Sequence, residues 1–241
     1  MCKVIAVANQ KGGCSKTSVV ANLGVGLAMA GKRVCLIDSD PQGSLTASLG
    51  FPDPDEIPLT LATIMMDIID EKEFPADYGM LHHKEGVDLI PANMELSGIE
   101  VSLANTMSRE MILKEYIETI RDRYDYILID CMPSLGVMTI NALVSADRVL
   151  VPVQSSYLSI KGLQMLLKTI AVVKKRLNKK LKIEGILITM VDYRTNYAKD
   201  ITAILRESYG MNDDIGVLQT YIRCSILYAA LPLTGRWRQL R

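Results

Sequence analysis

Short runs rich in valine and isoleucine alternate with longer stretches of helical period along most of this 241-residue chain, and that rhythm limits the folds open to it. The strand signal falls on residues 4–8, 33–37, 87–90, 126–129, 148–153 and 183–191. Helical period covers residues 18–30, 94–104, 109–123, 160–177 and 196–209. Strand, helix and strand in turn make βαβ units, and such units build a parallel sheet with helices on both faces. Strands covered on both faces need apolar side chains at nearly every position, which accounts for a positive mean hydropathy of +0.19. The expectation is one α/β domain over residues 1–241, three-layered, with a mostly parallel, twisted sheet. Gly31 stops the first helix, residues 51–58 read as a proline- and acid-rich surface loop, and residues 215–218 as an edge strand. Beyond that point the pattern turns irregular, and no closing helix is expected before Arg241.

Basic and acidic residues number 27 each, so the chain has no overall field to draw in DNA or acidic lipid. Any such binding must come from a local patch. Lys174, Lys175, Arg176, Lys179, Lys180 and Lys182 form one such run at the end of a helix, where cations also suit the negative end of the helix dipole. Contact with a phosphate backbone is its functional reading, and a solvated helix end the plain one. Two phenylalanines and one tryptophan speak against a base-stacking platform. The five cysteines form no C-x-x-C pair, which argues against zinc, redox or iron–sulfur ligation and for a reducing compartment. Adjacent His82 and His83 lack companion ligands at metal spacing and read as an exposed loop pair. Met29, Met165 and Met190 fall on apolar faces and are expected in the core. Met1 leads almost at once into a strand, and no apolar run is long enough to span a bilayer. The expected location is therefore the cytoplasm, without membrane contact.

Between the first strand and its helix stands Asn9-Gln10-Lys11-Gly12-Gly13-Cys14-Ser15-Lys16-Thr17, with Ser18 following. A phosphate-binding loop needs this setting, because unpaired N–H groups and the positive dipole end of a helix converge there on an anion. Gly12 and Gly13 let the backbone come close, Lys16 reaches the β- and γ-phosphates, and the Thr17 hydroxyl can serve Mg²⁺. ATP with Mg²⁺ is the expected ligand, held by Lys11, Gly12, Gly13, Cys14, Ser15, Lys16, Thr17 and Ser18. The usual G-x-x-x-x-G-K-[ST] spacing is not met, since Gln10 and Ser15 occupy its glycine positions. A glycine-bearing turn with two solvated lysines is the plain alternative. Cys14 is either packed or, if exposed at the helix terminus, an oxidisable thiol.

Acids stand at two strand ends. Asp130 closes the run Tyr126-Ile127-Leu128-Ile129 at the carboxyl edge, where open α/β sheets bind ligands, and is the candidate to manage Mg²⁺ together with Thr17. Asp38 and Asp40 flank Ser39 before Pro41-Gln42-Gly43, and alternation can turn both toward one face. A carboxylate there orients the water that attacks the γ-phosphate or, on the plain reading, caps the short helix that follows. Asp40 is the one expected to be catalytic.

Taken in order, Lys11-Gly12-Gly13-x-x-Lys16-Thr17, Asp38-Ser39-Asp40-Pro41-Gln42-Gly43 and Asp130-Cys131-Met132-Pro133-Ser134-Leu135-Gly136 resemble the three signatures of ParA/Soj-type partition ATPases, the deviant P-loop proteins of the ParA/MinD superfamily. The likeness runs from Lys3 to about Asn196, through Ile140-Asn141-Ala142-Leu143 and Val151-Pro152-Val153-Gln154. It implies a P-loop NTPase fold and a homodimer with ATP sandwiched at the interface. Catalytic roles then fall to Lys16, serving its own subunit, to Lys11, reaching the partner's phosphates, and to Asp40, activating water. Thr17 and Asp130 match the magnesium positions, Asp130 acting through water. In such proteins the ATP-bound dimer coats DNA without sequence preference, and a ParB-like partner triggers an otherwise slow hydrolysis. Arg194, within Asp192-Tyr193-Arg194-Thr195-Asn196, matches a DNA-contacting arginine of the family and implies association with the nucleoid.

Ser15 departs from that family's pattern, standing where relatives have glycine before the P-loop lysine. If its φ is positive, the side chain costs about 1–2 kcal/mol, and a weak ATPase is expected. The segment Ile222-Arg223-Cys224-Ser225-Ile226-Leu227-Tyr228-Ala229-Ala230 lacks the proline, one arginine and the acid of the family's adenine-pocket segment. The alternative function is an ATP-binding switch with little or no hydrolysis that positions another cargo or signals through a partner. A membrane switch like MinD needs a terminal amphipathic helix, for which residues 233–241 are short and interrupted. A reductase resembling nitrogenase iron protein needs a cluster-holding cysteine pair, which the spacing does not provide.

Overall fold

The computed structural model describes residues 2–75, 77–210 and 215–224. The irregular tail, the question of a closing helix, and the altered segment from Ser225 onward lie outside them. The strands are β1 (Lys3–Val7), β2 (Val34–Ser39), β3 (Leu81–His82), β4 (Val87–Ile90), β5 (Tyr126–Cys131), β6 (Arg148–Gln154), β7 (Lys182–Val191) and β8 (Val217–Arg223). They form one sheet in the order β3-β4-β2-β5-β1-β6-β7-β8, parallel throughout except where β3 pairs with β4. The α-helices are α1 (Lys16–Met29), α2 (Ser44–Ser48), α3 (Leu61–Ile69), α4 (Leu96–Ala104), α5 (Ile112–Ile120), α6 (Val137–Ser145), α7 (Tyr157–Arg176) and α8 (Asn196–Tyr209).

Alternation along the strands sends side chains into two separate cores. Val4, Ala6, Cys35, Ile37, Ile127 and Ile129 face helices α3 to α8, while Ile5, Val7, Leu36 and Leu128 face α1 and α2. A sheet covered on both faces, the three-layer arrangement expected, follows from that division. Each fully buried leucine, isoleucine or valine contributes about 1.5–3 kcal/mol relative to exposure.

Most expected elements stand within a few residues of their places, and the exceptions have physical causes. The stretch 109–123 is not one helix, because α5 ends at Ile120 and a 3₁₀ turn, Arg121–Arg123, follows. Helices α3 and α6 were not expected. His82 and His83 do not share a loop: His82 sits in β3, its Nδ1 2.5 Å from Asp88 Oδ1. The three methionines are not core residues, Met29, Met165 and Met190 being 56%, 51% and 36% exposed. In α7 the core stripe is Leu163, Leu166, Ile170 and Val173, a helical spacing that leaves Met165 on the opposite side.

Order in the turn after β2 depends on one buried side chain. Thr46 donates both its N–H and its hydroxyl to Asp38 Oδ2, at 2.9 and 2.8 Å, and its hydroxyl oxygen accepts the Ala92 N–H at 3.1 Å. Gly43 makes the approach possible. Its φ is +59°, and a Cβ there would lie 2.9 Å from the Ala92 carbonyl oxygen. Gly43→Ala is expected to destabilise the protein by about 2 kcal/mol, lowering its melting temperature by roughly 4–8 °C. Gly26→Ala, placed in α1 with nothing within 4 Å, should raise the melting temperature slightly in the same thermal melts.

Candidate functional site

The loop after β1 leaves the centre of the sheet, between β5 and β6, and enters α1 at Lys16. Its backbone bends through two left-handed residues, Gly13 at φ +68° and Ser15 at φ +70°. The condition attached to Ser15 is thus met: a non-glycine holds a conformation that glycine adopts freely. Ser15 is also the N-cap of α1, yet its side chain caps nothing, and the first turn of α1 carries no acid. A Cβ on Gly12 or Gly13 would meet nothing within 4 Å. The helix therefore presents its positive end to an open space.

Three tethers hold this loop to the ends of β6 and β7. Asn9 Nδ2 donates to the Pro152 carbonyl at 2.6 Å, while its Oδ1 accepts the Lys11 N–H at 3.0 Å. Lys11 Nζ donates to Gln154 Oε1, Ser156 Oγ and Ser159 Oγ at 2.8, 3.0 and 3.3 Å. Thr189 Oγ1, on β7, donates to the Cys14 carbonyl at 3.1 Å. Lys16 is buried, and its Nζ arches back to the Lys11 carbonyl at 3.3 Å. Gln154, Ser156, Ser159 and Thr189 were not singled out as site residues, because small polar side chains at strand ends carry no distinctive spacing.

Register places the acids. Val7 pairs with Asp130, and Asp130 with Asp38, so two carboxyls stand side by side on neighbouring strands. Asp38 is fully buried, accepting from Thr46 and from the Asp40 N–H at 3.2 Å. The charges of Asp38 and Asp40 are both felt at Asp130, but the bonds of Asp38 to Thr46 give it a structural task. Asp40 is partly exposed and accepts the Gln42 N–H at 3.0 Å, a contact inside the turn and not a cap on α2, whose N-cap is Gly43. Asp130 is 1% exposed, and neither carboxylate oxygen meets a partner in full hydrogen-bond geometry, although the Thr17 hydroxyl lies beside it.

Titration follows from this burial. Desolvation raises the Asp38 pKa to about 6, against the pull of its Thr46 and Asp40 hydrogen bonds. Desolvation also raises Asp130 well above 3.8, the Asp38 charge adds to it, and the neighbouring Thr17 hydroxyl and Lys16 charge act in the opposite sense. Cys14 is buried, and desolvation raises its pKa, so the reading of an exposed, activated thiol is corrected to packing. All five cysteines are unpaired, with only Cys224 exposed.

Arg194 lies beyond the end of β7 and is 90% exposed in its side chain. It is not free: Nε and Nη2 donate to Asp192 Oδ1 and Oδ2 at 2.8 and 2.7 Å, and the pair holds the Asp192 carboxyl down at about 2. The basic run from Lys174 to Lys182 is exposed and has no acidic partner among the described residues. It gathers where β7 begins, whereas Arg194 stands where β7 ends, so the fold does not join them into one patch. Among the described residues no three His, Cys, Asp or Glu side chains cluster as a metal cage. No helix among them is long and apolar enough to cross a membrane.

Because folding raises the Asp130 pKa, the folded state retains a proton that the unfolded chain releases, and stability falls as pH rises above 3.8. Asp130→Asn removes that burden. The variant should melt several degrees above the parent at pH 7 in the absence of ligands, with the gain shrinking as pH falls toward about 4. An equal gain at both pH values would contradict a buried, unsatisfied carboxylate.

Comparison with known proteins agrees with this geometry. A family described as "AAA domain" matches residues 2–183. The sporulation initiation inhibitor protein Soj of Bacillus subtilis is 46% identical over 196 residues, covering 81% of this chain and 76% of Soj. The chromosome partitioning protein ParA of Caulobacter vibrioides is 38% identical, covering 92% of this chain and 82% of that protein. Among solved structures, cobyrinic acid a,c-diamide synthase from Mycobacterium smegmatis, with bound ADP and magnesium, superposes with a TM-score of 0.85 at 37% identity, covering 100% and 97% of the two chains. With its loop at the head of α1, its strand-end acids and these matches, the chain belongs to the AAA-domain family of P-loop proteins that includes Soj and ParA.

Proposed function

We propose that the chain is a ParA/Soj-type switch that binds ATP with Mg²⁺, dimerises around the nucleotide, hydrolyses it, and acts in the partitioning of DNA. One observation carries the reading. Asp130 holds two unpartnered oxygens in a buried position beside Thr17 and Lys16, at the head of α1 where helix N–H groups and the dipole favour an anion. A buried carboxylate is tolerated when a cation answers it, so these residues fit a metal–phosphate ligand. Mg²⁺, when bound, would neutralise charge on the phosphate oxygens, with Thr17 and Asp130 holding it.

The remaining residues take their roles from position. Gly12, Gly13, Cys14, Ser15 and Ser18 supply backbone to the phosphates, and Lys16 supplies charge from its buried place at the head of α1. Asp40, held by the Gln42 N–H yet open to solvent, orients the attacking water. Lys11 serves the partner subunit's phosphates, for which its bonds to Gln154, Ser156 and Ser159 must be exchanged. DNA contact through Arg194 requires a phosphate to displace Asp192 from its guanidinium, an exchange of one anion for another on an exposed side chain. A ParB-like protein is the activator that fits such a switch.

DNA retention measured across a salt series with ATP, ADP or no nucleotide tests this reading. Retention should require ATP, vanish in Lys11→Ala, and in Arg194→Ala show a salt slope reduced by about 1 per arginine lost. Retention that is absent, or the same without nucleotide, would overturn the partition role.

A second reading, an ATP-binding switch with little turnover that positions another cargo or signals through a partner, draws on one specific observation. Ser15 adds a side chain at φ +70° in the phosphate loop. Phosphate release separates the two. Under the leading reading, Asp40→Ala lowers turnover about a hundredfold or more without loss of ATP affinity, and Ser15→Gly raises it. A wild-type rate no higher than that of Asp40→Ala favours the second.

A further inference from the structure

Ser15 is strained, and something must hold it. Residues kept in sparsely populated backbone regions persist only where the surroundings over-determine them. The side chain of Ser15 contributes nothing to this, since it makes no capping bond. The constraint comes instead from the preceding peptide. Thr189 is completely buried on β7, directly opposite Gln154 on β6, and its hydroxyl donates to the Cys14 carbonyl at 3.1 Å across 175 positions of sequence. That carbonyl belongs to the same planar unit as the Ser15 N–H. In a trans peptide the two point in opposite directions, so fixing the carbonyl toward β7 turns the Ser15 N–H toward the other side of the loop. There the N–H meets no acceptor among the described residues, and Gly12 and Gly13 leave open space.

We infer that Thr189 is a positioning residue for the phosphate loop, whose hydroxyl locks the Cys14–Ser15 peptide so that the Ser15 N–H is aimed at a bound phosphate. This deepens the nucleotide-binding reading and rests on it. With glycine at position 15 the left-handed conformation is nearly free, and the lock has little to do. With serine the alternative of a flipped peptide gains in relative stability, and the lock decides between them. The chemistry on the far side is that of a di- or triphosphate oxygen receiving one more directed N–H.

Calorimetric dissociation constants for Mg·ADP test the assignment. Thr189→Val should weaken binding about tenfold, the loss of one well-directed hydrogen bond to a charged group, while Thr189→Ser stays within about threefold of wild type. In a Ser15→Gly background the same Thr189→Val change should lose no more than about threefold, a non-additivity that a merely structural threonine would not produce. In the wild-type protein the Ser15 amide resonance should shift strongly on adding Mg·ADP, a readout that stands even if the valine variant fails to fold. The assignment is overturned if Thr189→Val binds within about twofold of its parent, if the loss is equal in both backgrounds, or if the Ser15 amide does not respond. A wild-type protein that binds no Mg·ADP overturns the nucleotide reading itself, which separates the two failures.

Discussion

A carboxyl group shut away from water with both oxygens unbonded is unfavourable in a folded protein, and Asp130 is such a group at the centre of this sheet. Its neighbour in register, Asp38, is equally buried but fully used, accepting three hydrogen bonds that order the turn after β2. The contrast separates structure from function on one row of the sheet. Hydrogen bonds satisfy Asp38, whereas the oxygens of Asp130 are left without partners. Burial raises the pKa of both carboxyls, and at Asp130 the neighbouring Asp38 charge adds to the shift.

Around that deficit the loop is held open rather than allowed to collapse. Asn9, Lys11 and the Cys14 carbonyl are each tied to a residue of β6 or β7. The tethers keep backbone N–H groups pointing into space and support the left-handed Ser15. Strain and unpaired groups concentrated at one place lower stability, and this is the usual condition of a site prepared for binding.

Much of the fold was legible because buried parallel strands leave runs of valine and isoleucine that no helix of similar length imitates. Two helices were missed for the opposite reason. In α3 the sequence Leu61-Ala62-Thr63-Ile64-Met65-Met66 is apolar almost without interruption, so its period is hidden, and the Thr60–Thr63 capping box was the signal available. In α6 almost every residue is buried, polar Thr139, Asn141 and Ser145 included, which erases the polar face that marks an amphipathic helix. Met165 was misplaced because an apolar side chain on α7 does not reveal which side of the helix faces the sheet.

At the site, residue types with fixed spacing were legible and their partners were not. Gly12, Gly13, Lys16, Thr17 and Asp130 stand where a phosphate loop and a strand end put them. The tasks of Gln154 and Thr189 come from contacts 143 and 175 positions away, which no local window contains. Titrating ATP into the wild-type protein with Mg²⁺, then with the metal chelated, addresses the unsatisfied carboxylate most directly. Binding should be tighter with Mg²⁺, and that advantage should disappear in Asp130→Asn. No heat in either condition, or an advantage that survives the substitution, would contradict the role given to Asp130.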